Sequence, residues 1–111
     1  MFDYKDARRI INDVTNAGVR VYVVAPMQIY NLIIQGVTTL NLIKKDLRTK
    51  DLVFQSGTYV RNMSPVSTHQ FAGVELKRTD IVMIGQNMPS VARQAILGYV
   101  KGQASVMECD W

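Results

Sequence analysis

The chain has 111 residues, 48% of them apolar and 20% charged, which suits one folded domain and excludes a low-complexity or disordered polymer. Its formal net charge of +4 is compatible with an anionic partner without requiring one. The single cysteine, Cys109, excludes an internal disulfide, and no apolar run is long enough to span a bilayer.

Asp3 or Asp6 is placed to cap a first helix over residues 5–16, with Ala7, Ile10, Ile11 and Val14 forming its apolar stripe and Gly18 following its end. Residues 19–24 are β-branched and aromatic and predict a strand that ends before Pro26. The segment from Met27 to Leu47 has apolar residues that also fit a helix. The β-branched run Val37-Thr38-Thr39 after Gly36 favours two strands instead, over 28–35 and 39–44. A charged connection, Lys44 to Asp51, leads to a short hairpin, 52–55 and 58–61, turning at Ser56-Gly57. Residues 62–70 contain Pro65 and predict a loop.

Further along, Val74 and Leu76 alternate with Glu75 and Lys77, and Ile81 to Ile84 is a continuous apolar run. The pattern predicts strands 73–77 and 80–84 around a polar corner, Lys77-Arg78-Thr79-Asp80. Pro89-Ser90 then starts a helix over 90–101, and residues 104–108 predict a last strand.

Catalytic or metal-binding constellations are not apparent. His69 has no second histidine or nearby cysteine, so a metal site and a cofactor are not expected. Cys109 lies between Glu108 and Asp110, whose charges oppose a thiolate. Phosphate-binding glycine loops and nucleophile elbows are missing, and the expectation is a protein that is not an enzyme. Basic residues are more suggestive. Lys44, Lys45, Arg48 and Lys50 gather in one connection and Lys77 and Arg78 in another, and together they would make a positive edge for phosphates.

On these residues the chain resembles the Sm-like superfamily of LSm proteins and the RNA chaperone Hfq. Leu40-Asn41-Leu42-Ile43 is similar to the end of the first Sm motif, with Val37 where the family has Asp and Asn31 where it has Gly. Lys77-Arg78-Thr79-Asp80 followed by Ile81 to Gly85 is similar to the second motif and its closing strand. The resemblance implies a mainly β fold, a bent five-stranded antiparallel sheet or small barrel flanked by N- and C-terminal helices. It makes residues 46–72 a long variable connection within a single domain. It also implies a homo-oligomeric ring of roughly five to seven subunits. The ring would bind single-stranded, uridine-rich RNA through Thr39, Asn41, Lys77 and Arg78, without stacking by an aromatic side chain. A phage-borne member would show such departures. The lone cysteine and an N-terminus without signal-peptide layout add the expectation of a cytoplasmic protein in a bacterial or phage-infected cell. Two other roles fit the same sequence. One is a structural or assembly oligomer of a phage particle or complex, without RNA. The other is an α/β small-molecule-binding regulatory domain, which requires residues 27–36 to be helical.

Overall fold

The computed structural model describes all 111 residues. Nine elements follow one another: α1 (Tyr4–Val14), β1 (Arg20–Val24), α2 (Met27–Gln35), β2 (Leu42–Lys45), β3 (Leu52–Phe54), β4 (Tyr59–Met63), β5 (Ile81–Gly85), α3 (Ser90–Val100) and β6 (Ser105–Cys109). The strands form one sheet in the order β2-β3-β4-β1-β5-β6. Neighbours from β4 through β6 are parallel, whereas β3 runs antiparallel to β2 and β4. This is a mixed α/β fold, and it overturns the expected mainly β, Sm-like antiparallel sheet.

The decisive difference lies in residues 27–35, which are helix α2 and not a strand. Tyr30, Ile33, Ile34 and Val37 are its buried residues and its buried continuation. Their spacing of i, i+3, i+4 and i+7 is the helical period. The β-branched Val37-Thr38-Thr39 run lies beyond the helix end and never has to adopt helical geometry. Three other boundaries also move. Residues 73–77 form no strand, although Val74 and Leu76 still pack on the core. The expected strand 39–44 becomes β2 at 42–45, and the hairpin expected at 52–55 and 58–61 becomes β3 at 52–54 and β4 at 59–63.

Alternation along the parallel strands divides the core in two. Val21, Val23 and Met83 face α1 and α2, meeting Ala7, Ile11, Tyr30 and Ile33. Tyr22, Val24, Val82 and Ile84 face the other way, against Ile96 and Val100 of α3 and Phe71 of the loop before β5. Because every β-carbon on β1 and β5 meets a covered face, these strands read as continuous apolar runs. Helix α1 is capped by Asp3, whose Oδ1 accepts from the Asp6 amide at 2.8 Å, while Asp6 returns the bond to the Asp3 amide. Arg8 fastens α1 to α2 by donating to the Leu32 and Ile33 carbonyls near the α2 C-terminus. Gly18, at φ +68°, turns the chain into β1, and the buried Thr58 hydroxyl accepts from its amide at 2.9 Å.

β5 lies between β1 and β6, so both of its ladder edges are used within the chain. The expected pairing of strand 81–84 with a neighbouring subunit is therefore not available. Phe2 bridges to the outer side of β6. The opposite edge, β2, is four residues long, shifts register between Leu42 and Lys44, and carries Lys44 and Lys45. Short length, a bulge and lysines all discourage a further strand.

Cys109 is fully buried, and its thiol is pushed up to about 12, by burial first and then by the charges of Asp110, Asp6 and Glu108. From the ordinary value of 9.0 this lowers the thiolate fraction by about three orders of magnitude. Iodoacetamide labelling at pH 8, followed by mass spectrometry through a urea series, is expected to track unfolding. Rapid labelling of the native protein would contradict this placement.

Candidate functional site

Helix α3 covers β1, β5 and β6 on one side of the sheet but does not reach the antiparallel half. Leu52, Phe54 and Val60 point to the α1/α2 core, so Val53, Tyr59 and Arg61 lie on the uncovered face. Register carries that face across β2, β3 and β4, with Lys44 opposite Val53 and Val53 opposite Tyr59, and it ends at β1, where Arg20 lies opposite Tyr59 and is tied to Asp80. One step further along, Arg61 is opposite Tyr22, which is buried under Phe71. Lys44, Val53, Tyr59 and Arg61 thus share a sheet surface without a helical layer.

Asp51 organises the centre. Its Oδ2 accepts from the Tyr59 hydroxyl at 2.7 Å and from Arg61 Nε at 3.3 Å. The Arg61 guanidinium sits 5.4 Å from the Tyr59 ring centroid, a cation–π arrangement that fixes both groups. Burial, followed by the Asp51 hydrogen bond and charge, pushes the Tyr59 hydroxyl up to about 12, so it remains a donor at neutral pH. Lys44, Asp46, Asp51, Val53 and Tyr59 line a cavity of ≈ 140 Å3 on this face.

The connection after β2 forms its rim. Asp46 Oδ1 accepts from the Arg48 and Thr49 amides, both at 2.8 Å, and these bonds hold its carboxyl below the usual range. Lys50 adopts φ 63°, and its carbonyl receives the Tyr30 hydroxyl at 2.8 Å, tying the rim to α2. The four ion pairs of the chain are Arg9–Asp6, Arg20–Asp80, Arg61–Asp51 and Arg93–Glu108. Lys44, Lys45, Arg48 and Lys50 belong to none of them, although Asp46 and Asp51 lie in the same connection.

The residues expected to form the RNA site are separated. Thr39 is exposed in the loop before β2, and Asn41 donates to Asn16 Oδ1 at 2.9 Å. Lys77 and Arg78 are exposed at the start of β5. Sheet order puts β3, β4 and β1 between β2 and β5, four steps of roughly 4.8 Å, or about 19 Å. Asn41 therefore does not converge with Lys77 and Arg78. The 44–50 cluster does not join them either, because it follows the end of β2 whereas Lys77 and Arg78 precede β5, at the other end of the sheet. The polar corner is instead built around buried Asp80, which accepts from the Lys77 amide at 2.8 Å and from Arg20 at 2.6 and 3.0 Å. Sequence reasoning missed Tyr59 and Arg61, although their i, i+2 spacing in the predicted hairpin already put both on one face.

The crevice that many α/β sheets use for ligands lies where helices depart to opposite faces, here beyond β1 and β5. Trp111 fills it. Its indole Nε1 donates to the Val24 carbonyl at 3.0 Å, and a β-carbon added to Gly85 would overlap the ring. The cavities of this molecule lie elsewhere. His69 is exposed in the loop after β4.

Comparison of this chain with protein-family models, curated proteins and solved structures returned no match.

Proposed function

We propose that this chain is a non-catalytic protein that binds single-stranded nucleic acid on the uncovered face of β2, β3 and β4. The observation that carries the reading is that half-covered sheet, presenting Lys44, Tyr59 and Arg61 with Arg48 in the connection at its rim. Lysine and arginine neutralise phosphates, while the Tyr59 ring and Arg61 plane offer surfaces on which bases stack. Such surfaces are sequence-tolerant because every base has a π face. The uridine preference implied by an Sm-like ring does not carry over, since it belongs to that fold. A small-molecule role has less support, because Trp111 occupies the crevice where such a ligand would be expected.

The test is fluorescence anisotropy with labelled oligo-uridine and oligo-thymidine over a salt series. Tyr59→Ala is expected to weaken binding about tenfold, within the ~1–3 kcal/mol that one stacked base contributes. Tyr59→Phe, which keeps the ring, should largely retain binding. Lys44→Ala should reduce the steepness of the log–log salt dependence by about 0.7, the contribution of one phosphate contact on a single strand, whereas Lys45→Ala, on the opposite face, should change it less. Absence of binding at low salt, or unchanged affinity in folded variants, would rule the reading out.

A further inference from the structure

We infer that the cavity of ≈ 200 Å3 between the start of β5 and the turn before β6 is a phosphate-binding site, holding a phosphoryl group between the Arg78 guanidinium and the Ser105 hydroxyl. Arg78, Gly102, Ala104 and Ser105 line it. None of these is acidic, whereas the other two cavities include Asp46 and Asp51, or Glu108. The inference goes beyond the uncovered face, with which this cavity shares no residue.

The walls are fixed by backbone bonds. Ser105 N donates to the Asp80 carbonyl at 2.9 Å, joining the turn before β6 to the corner that carries Arg78. Gln103 N and Ala104 N both return to the Val100 carbonyl, at 3.0 and 3.1 Å, ending α3. Gly102 adopts φ +79° within that turn, with open space where a β-carbon would project.

The wall of the cavity carries the positive charge of Arg78 and no carboxylate. Asp80 is only 1% exposed and its carboxylate is engaged inward by Arg20 and the Lys77 amide. Arg78 belongs to no ion pair, nor do Lys77 and Lys101, the exposed residues that precede Arg78 and Gly102 in the chain. Glu75 is the remaining acid of this stretch and likewise forms no ion pair. The unpaired Arg78, a hydroxyl and a carboxylate-free wall select an oxyanion, and the guanidinium fork matches two phosphate oxygens at once. The group comes either from a polynucleotide or from a free phosphate ester, since both present the same oxygens.

The test is amide-resolved NMR of the intact chain titrated with inorganic phosphate, against sodium chloride at equal ionic strength. Saturable shifts are expected at Arg78, Thr79, Gly102 and Ser105. They should require about tenfold or more phosphate in Arg78→Ala, with a smaller increase in Ser105→Ala. Equal shifts with chloride, or an undiminished response in both variants, would overturn the site. Competition by oligonucleotides with and without a 5′-phosphate then distinguishes the sources. Displacement only by the phosphorylated strand identifies a polynucleotide end, displacement by both its backbone, and displacement by neither a free ester. Tyr59→Ala should leave the phosphate titration unchanged, so failure here and failure of the uncovered face are read separately.

Discussion

Asp80→Ala should lower the unfolding free energy by about 3 kcal/mol, the lower end of what breaking a buried ion pair costs. Asp80 is 1% exposed, and its carboxylate takes both Arg20 nitrogens and the Lys77 amide. Alanine leaves the guanidinium without its counterion and the amide without its acceptor. The Arg20 side chain is 33% exposed, so water recovers part of the loss and the estimate stays below the upper end of the range. Asp80→Asn preserves shape and one acceptor oxygen and should cost less than alanine. Arg20→Ala combined with Asp80→Ala should cost less than the sum of the single changes, because the two residues act as one unit. Urea unfolding monitored by circular dichroism measures all of these. A value for Asp80→Ala within about 0.5 kcal/mol of the parent chain would show that the corner is held by other contacts.

Tyr30→Ala is expected to be more damaging still, by about 4 kcal/mol, the range for deleting a large buried aromatic side chain. Tyr30 is fully buried between α2 and the antiparallel strands, and its hydroxyl donates to the Lys50 carbonyl at 2.8 Å. Tyr30→Phe keeps the packing and removes that bond and the longer one to the Val60 carbonyl at 3.4 Å, for about 1 kcal/mol. The same change releases the connection that carries Arg48 and Lys50, where Lys50 is held at φ 63°. Nucleic-acid affinity should therefore fall in Tyr30→Phe while the chain remains folded. Urea titration and anisotropy on the same preparation separate the two effects. Unchanged stability in Tyr30→Ala would contradict the burial on which the prediction rests.

Tyr30 also shows where the sequence was readable and where it misled. Its spacing with Ile33, Ile34 and Val37 is helical, but the adjacent β-branched residues weigh against a helix when the segment is judged as a whole. They fall outside α2, so their propensity was charged to the wrong element. The stretch 73–77 failed for the opposite reason. Val74 and Leu76 do alternate and do pack inward, yet they do not pair with β5, whose two edges are taken by β1 and β6. Alternation reports a half-buried extended segment, and pairing is decided by which edges remain.

What the sequence determined by itself is local. It marked α1 with its acidic cap, β1 as a β-branched and aromatic run, β5 as a continuous apolar run, the hairpin at 52–55 and 58–61, α3 after Pro89 and a last strand at 104–108, which the structure places at 105–109. These features rest on cap chemistry, side-chain period and turn residues, which act over a few positions. The cations of the 44–50 connection and of Lys77-Arg78 were also visible as types. Sheet order was not. Placing β1 between β4 and β5 depends on the layers of side chains that α2 and α3 bury on opposite faces, a sum over residues far apart in the chain. That order separates Asn41 from Arg78, gathers Lys44, Tyr59 and Arg61 on one uncovered face, and sets Arg78 beside Ser105. Only the tertiary structure could decide these neighbours, because each is made by strands whose pairing no local pattern encodes.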